Sequence, residues 1–139
     1  MTPGTPPVQP TVAIVENDDN LRKALKRLLR AHGYQVETYS CAEDFLLRDA
    51  TIQVDCLVSD IHLDGMSGLD LHRVLRQRGA PPPVAFITGR ADKATLAAAV
   101  DQGCMAFLHK PIESQVLTRA IQRICNRDGW SSGMQPLIA

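Results

Sequence analysis

Short apolar runs alternate with segments of helical periodicity along most of this chain, and this alternation is the strongest constraint on its fold. The runs are rich in Val, Ile and Phe, as expected for strands that are covered on both faces. The strand candidates are Thr11–Val15, Gln35–Tyr39, Asp55–Ser59, Val84–Thr88 and Met105–His109. Five β-then-α units in succession predict a parallel sheet with right-handed crossovers, and helices on both faces.

The helical segments have recognisable ends. Gly33 and Gly103 follow the first and fourth helical patterns and predict C-terminal stops. Ser40 followed by Glu43 predicts a capping box for a short second helix that runs to Ala50. We therefore expect a three-layer α/β/α domain with a five-stranded, doubly wound, flavodoxin-like sheet of order 2-1-3-4-5, whose ligand crevice lies between the ends of the first and third strands.

Length and composition limit the classes of protein that this chain can represent. With 139 residues, we expect one domain over residues 11–127, a disordered lead-in over 1–10 and a flexible tail or linker start over 128–139. The 15 basic and 15 acidic residues balance, which argues against direct nucleic-acid binding driven by bulk charge. The absence of a long apolar run argues against a membrane protein. The four cysteines have no metal-like spacing, which favours a reducing, cytoplasmic setting.

Polar side chains follow the apolar runs at the edge where the crevice is expected. Asp60, Thr88 and Lys110 come at the ends of the third, fourth and fifth runs, and Glu16 and Asn17 follow the first. Carboxylate and amide oxygens suit Mg²⁺. An aspartate can act as a nucleophile toward phosphorus, while a lysine supplies a point charge and a threonine a hydroxyl for phosphoryl oxygens. This group of residues predicts a phosphate-accepting aspartate.

Simpler interpretations compete for several of these residues. Asp18 and Asp19 precede the first helix and are interpreted as capping residues. The same helix has a basic set that is either a solvated face or a docking surface for an acidic partner. Its members are Arg22, Lys23, Lys26, Arg27 and Arg30.

Two other functional classes fit the segment around Asp60 less well. A calcium loop would need a glutamate where the chain has Leu71. A phosphatase of the haloacid dehalogenase type would need a second acid at His62, and a nucleophile after the first strand instead of the third. Neither class is favoured.

The motifs VAIVEN, LVSDIHLDGMSGLDL, FITGR and FLHKPI resemble those of the receiver domain of bacterial two-component response regulators. They occur in the family's order and with its spacing, over roughly Thr11–Arg127. The resemblance implies a signalling domain that at most catalyses its own phosphorylation and dephosphorylation. It implies a phosphoryl donor, either a histidine kinase or a phosphotransfer protein, and a downstream protein or output domain as target. It also implies a possible homodimer through the fourth helix, fifth strand and fifth helix.

The resemblance also assigns roles to individual residues. Asp60 is implied to accept the phosphoryl group, and Mg²⁺ is implied to bind Glu16, Asn17, Asp60 and the backbone carbonyl of His62. A further set is implied to read out the phosphoryl group. It comprises Thr88 as phosphate-contacting residue and switch hydroxyl, Phe107 as switch aromatic, Lys110 as phosphate-contacting cation and Pro111 as the residue after a cis bond.

One position departs from the family pattern. Asn17 stands where the family usually has an aspartate that helps to bind Mg²⁺, so an oxygen remains but a charge is lost. We expect weakened Mg²⁺ binding at this site. A phosphorylation-independent pseudo-receiver, used as a protein-interaction module, is therefore the alternative function.

Overall fold

The computed structural model describes residues 9–126 and 135–139 of the chain. Its strands are β1 (Thr11–Val15), β2 (Gln35–Tyr39), β3 (Cys56–Asp60), β4 (Val84–Thr88), β5 (Ala106–His109) and β6 (Leu137–Ile138). Its helices are α1 (Asp19–Ala31), α2 (Ala42–Leu46), α3 (Gly68–Gln77), α4 (Lys93–Asp101) and α5 (Ser114–Cys125). The strict β-α alternation that the sequence predicts is confirmed from β1 to α5.

The strands form one parallel sheet in the order β2-β1-β3-β4-β5-β6. The flavodoxin-like order of the first five strands is confirmed, but the prediction of a five-stranded sheet is one strand short. β6 pairs with β5 and lies in the segment expected to be a tail or linker. Two residues with no periodicity give a sequence pattern no signal for such a strand. Residues 1–8 and 127–134, where most of the lead-in and part of the tail were expected, lie outside the described residues.

Two apolar cores, one on each face of the sheet, hold the three layers together. Alternate residues of β1 point to opposite faces of the sheet: Val12 and Ile14 lie in one core, whereas Ala13 and Val15 lie in the other. The first core is closed by the apolar stripes of α1 and α5, and the second by α2, α3 and α4. This alternation, together with helices on both faces, explains why β1, β3, β4 and β5 are mostly apolar, in contrast to the edge strand β2.

The boundaries of some elements differ from the sequence predictions. β3 and β5 each begin one residue later than predicted, at Cys56 and Ala106. The helix α2 begins after an N-cap at Cys41 and ends at Leu46, so the predicted capping box and the extension to Ala50 are wrong. The capping box is absent because the Glu43 carboxylate instead accepts a hydrogen bond from the backbone N–H of Met66 (3.1 Å). At the other end, the N–H groups of Leu47 and Arg48 donate to the carbonyls three residues earlier (3.2 Å each), a tighter turn that closes the helix.

Candidate functional site

The polar site lies at the carboxyl ends of the strands, where the sequence analysis placed it. Parallel strands end together at one edge of the sheet, so residues that follow β1, β3, β4 and β5 meet there. Glu16 is fully buried directly after β1, and Asp60, the last residue of β3, is only 3% exposed. Buried carboxylates are uncommon unless they are paired, and a single cation pairs both of them.

Lys110 is that cation. Its Nζ lies 2.7 Å from Asp60 Oδ2 and 2.8 Å from Glu16 Oε1. The backbone places this side chain: Lys110 follows β5, and its N–H donates to the carbonyl of Thr88 at the end of β4 (2.8 Å). Its peptide bond to Pro111 is cis. The structure therefore brings Glu16, Asp60 and Lys110 into one charged cluster.

The remaining carboxylate oxygens receive backbone N–H groups. Asp60 Oδ1 accepts from His62 N–H (3.0 Å), and Glu16 Oε2 accepts from Asp18 N–H (3.0 Å). Glu16 Oε1 is buried and accepts no hydrogen bond of acceptable angle from the described residues, although Lys110 Nζ lies close to it. One carboxylate oxygen at the site is therefore incompletely satisfied.

Burial and charge shift two pKa values in this cluster. Burial raises the pKa of the Glu16 carboxyl, and this outweighs the opposing contact with Lys110 and hydrogen bond from Asp18. Burial acts to lower the pKa of the Lys110 ammonium, but its contacts with Asp60 and Glu16 prevail and raise it. Lys110 is thus held in its charged form, while the ionised form of Glu16 is stabilised less than it would be in water.

The other predicted site residues do not join this cluster directly. Asn17 is exposed, and its side chain makes no hydrogen bond within the described parts of the chain. The Thr88 hydroxyl is buried, donates to the carbonyl of Arg90 (3.0 Å) and accepts from the Arg90 N–H (2.9 Å). Phe107 is 2% exposed, within the core on the α3 and α4 face. The side chain of His62 is exposed.

Only one of the two aspartates that were interpreted as capping residues caps α1, because Asp19 is already the first residue of the helix. Asp18 is the N-cap of α1, and its Oδ1 accepts from the N–H of Leu21 (3.0 Å). Asp19 pairs with Arg22 in the first turn. Arg22 is not merely part of a solvated face, because its Nη1 also donates to the backbone carbonyl of Glu16 (2.8 Å). It thereby ties the loop after β1 to α1.

Two further residues support Asp60 and were missed by the sequence analysis. The buried Ser59 hydroxyl donates to the carbonyl of Asp60 (3.0 Å). Gly68 begins α3 so close to β3 that a Cβ on it would lie 2.2 Å from the carbonyl oxygen of Asp60. A glycine at the start of a predicted helix, a few residues after a candidate nucleophile, is the sequence signal that could have identified this close approach.

The site contains oxygen donors that fit Mg²⁺. Mg²⁺ takes one or two carboxylates and otherwise keeps waters or phosphate oxygens, and Glu16 and Asp60 supply two carboxylates on either side of one ammonium. Glu16 Oε1 lies 2.8 Å from Lys110 Nζ, so a cation that binds this oxygen would share it with the ammonium. Within residues 9–126 and 135–139, no three His, Cys, Asp or Glu side chains form a metal-binding group. The two carboxylates would therefore have to be completed by waters or phosphate oxygens, as is usual for Mg²⁺.

Comparisons with known proteins agree on one family. The model of the response regulator receiver domain matches residues 12–122. The transcriptional regulatory protein TdiR of Thauera aromatica is 34% identical over 111 residues, which are 80% of this chain and 49% of that protein. The transcriptional regulatory protein FixJ of Azorhizobium caulinodans is 33% identical over 118 residues, which are 84% of this chain and 55% of that protein. The chain thus spans about half the length of the curated relatives that it matches.

Solved structures give the same result. The response regulator StyR is 37% identical, with a TM-score of 0.80 over 88% of this chain and 62% of that one. The crystal structure of FixJ-N is 30% identical, with a TM-score of 0.79 over 91% of this chain and 99% of that one. Among the described residues, no helix is both long enough and apolar enough to cross a bilayer.

Proposed function

Because this chain belongs to the family of response regulator receiver domains, which act in two-component signalling, we propose that Asp60 accepts a phosphoryl group here. The observation that carries this proposal is the buried Asp60 carboxylate, held by Lys110 Nζ at 2.7 Å beside a second acid, Glu16. An aspartate on the protein surface is normally solvated and does not require a buried cationic partner. The donor is a histidine kinase or a phosphotransfer protein.

The proposed reaction transfers a phosphoryl group from a histidine nitrogen of the donor to a carboxylate oxygen of Asp60. An Asp60 carboxylate oxygen attacks phosphorus, the bond from phosphorus to the donor's histidine nitrogen breaks, and an acyl phosphate forms while the histidine leaves. Mg²⁺, held by Glu16, Asn17, Asp60 and the backbone carbonyl of His62, would supply positive charge to the phosphoryl oxygens. Lys110 already lies beside Asp60, and its ammonium can pair with the new negative charge.

The response to phosphorylation requires a rearrangement at β4. The Thr88 hydroxyl is bonded on both sides to Arg90 in this structure, so it must leave Arg90 in order to reach a phosphoryl oxygen on Asp60. We propose that this exchange of hydrogen bonds, with Phe107 as the aromatic that follows it, is the switch.

The target of the switch is a downstream protein or an output domain. The receiver domain itself works in the cytoplasm and does not contact nucleic acid. A homodimer through α4, β5 and α5 would have to accommodate β6, which pairs with β5.

The test is incubation with acetyl phosphate and Mg²⁺, followed by intact mass spectrometry. We expect one phosphoryl adduct on the wild type and on Asp64→Asn, a matched control at an exposed acid of the next loop. Asp60→Asn should carry none, because it lacks the nucleophilic oxygen. An adduct of equal yield on Asp60→Asn would refute the proposal.

The alternative function is a phosphorylation-independent pseudo-receiver, and the exposed amide of Asn17 favours it. An amide loses the charge that would attract Mg²⁺; opposite unit charges at 4 Å interact by about 4 kcal/mol at an effective dielectric of 20, much of it offset by desolvation. We expect Asn17→Asp to tighten Mg²⁺ binding on the order of ten- to a hundredfold, as measured by fluorescence titration. Equal affinities would remove Asn17 from the metal site. No adduct at any Mg²⁺ concentration, with Asn17→Asp restoring one, would favour the pseudo-receiver.

A further inference from the structure

The outer edge of β5 is covered by the C-terminal residues of the described chain. Leu137 N–H donates to the carbonyl of Met105 (3.0 Å), and Ala139 N–H donates to that of Phe107 (3.0 Å). The carbonyl of Ala139 accepts from His109 N–H (2.7 Å). Without these bonds β5 would end the sheet with unpaired backbone groups, which is a template for pairing with another strand.

Two further contacts hold this segment in place. Leu137 packs against the core formed by the α1 and α5 face, whereas Ile138 is 54% exposed. Arg123 Nη2, from α5, donates to the carbonyl of Gln135 (3.0 Å). The segment is therefore held by the side chain of Leu137 and by hydrogen bonds to its backbone, whereas the exposed side chain of Ile138 contributes little.

The segment restrains the part of β5 that positions Lys110. Successive N–H groups at the end of β5 point to opposite sides: His109 donates outward to Ala139 (2.7 Å), and Lys110 donates inward to Thr88 (2.8 Å). The next link is the side chain of Lys110, whose Nζ binds Asp60 (2.7 Å). The end of β5 is thus fixed on both sides, and one of those sides is the C-terminal segment.

We propose that the outer edge of β5 is a strand-docking surface occupied by the chain's own residues 135–139, and that this docking holds Lys110 against Asp60. The segment acts on the site by positioning Lys110 and does not touch the reacting atoms. Its consequence for signalling rests on the proposed function, because a change at Asp60 and the docking of this segment would then bias each other.

The test uses two substitutions to the same residue type in the full chain, Leu137→Thr and Ile138→Thr. Threonine keeps strand propensity at both positions, but only Leu137→Thr removes the apolar anchor. We expect exchange of the His109 amide hydrogen to become about fivefold faster in Leu137→Thr, because the substitution removes part of the apolar contact of a half-buried side chain. It should stay within about twofold of wild type in Ile138→Thr. Unchanged exchange of the Ile14 amide, in the centre of the sheet, reports an intact fold.

The second readout is the reactivity of the Lys110 amine with an acetylating reagent, mapped by peptide mass spectrometry with the exposed Lys93 as internal reference. A reactivity that rises only in Leu137→Thr supports the proposal. If His109 exchange accelerates while Lys110 reactivity does not change, or if neither changes, the proposal is overturned. Protection of His109 that depends on protein concentration would also overturn it, since the occupant would then be a second copy. These measurements need neither Mg²⁺ nor a phosphodonor, so a failure of the proposed function leaves their outcome unaffected.

Discussion

The residues at the polar edge of the sheet form two sets, which differ in whether their side chains already contact one another. The acceptor part, Glu16, Asp60 and Lys110, is already joined by ion pairs of 2.7 and 2.8 Å. The response part, Thr88 and Phe107, is engaged elsewhere, with the hydroxyl on Arg90 and the ring in the core. For the phosphoryl transfer proposed above, the acceptor carboxylate and its cation are thus already in contact, whereas the proposed response would require the Thr88 hydroxyl to leave Arg90.

The largest expected effect comes from removing the cation of the acceptor part. Lys110→Met leaves the carboxylates of Glu16 and Asp60 buried without their partner, and breaking a buried pair in this way costs about 3 kcal/mol of unfolding free energy. Urea denaturation should show this loss at pH 7 and a smaller one in acid, because burial raises the pKa of the Glu16 carboxyl and its protonation removes one of the two unpaired charges. Lys110→Arg, which keeps the charge, is the control. A loss independent of pH would contradict an electrostatic origin.

The next prediction compares the loss of stability caused by substituting two glycines, one packed against Asp60 and the other next to Thr88. Gly68→Ala places a Cβ 2.2 Å from the backbone carbonyl of Asp60, so β3 or α3 must shift, and we expect a loss of about 2 kcal/mol. Gly89, beside Thr88, has no atom within 4 Å of an added Cβ. Gly89→Ala should therefore change stability by less than about 0.5 kcal/mol. Equal losses in thermal or urea unfolding would contradict the tighter packing of the acceptor part.

A smaller effect is expected from neutralising Glu16. Its pKa is raised mainly by burial, so the stability that it contributes is present below the pKa of the unfolded chain and is lost as pH rises through the folded value. Glu16→Gln should thus stabilise the Mg²⁺-free protein at pH 7 by on the order of 1 kcal/mol, with no gain near pH 3. Stability curves against pH measure this. A variant that is less stable than wild type at pH 7 would show that pairing with Lys110 outweighs burial.

Much of the fold and the position of the site could be predicted from the sequence. Sequence patterns located β1, β2 and β4 to the residue. In β1 and β4 the signal is a continuous apolar run, as expected for strands covered on both faces. β2 is instead a half-buried edge strand with the sequence QVETY. The ends of β1, β3 and β5 then placed Glu16, Asp60 and Lys110 at one edge of the sheet.

The features that sequence patterns missed depend on tertiary contacts. β6 is held by the exposed edge of β5 and by the packing of Leu137, neither of which leaves a pattern in the chain. The capping box predicted for α2 was wrong because Glu43 bonds to Met66, 23 residues away, instead of capping its own helix. The engagement of the Thr88 hydroxyl by Arg90 is likewise a property of a folded turn.

The measurement that tests the account most directly is a time course of acetyl phosphate labelling, followed by intact mass, on Asp60→Asn and Thr88→Ala beside wild type. If the acceptor part is sufficient for transfer, Thr88→Ala gains one phosphoryl group in the presence of Mg²⁺ and Asp60→Asn gains none. A phosphoryl group on Asp60→Asn, or its absence from Thr88→Ala when the wild type is labelled, would contradict the account.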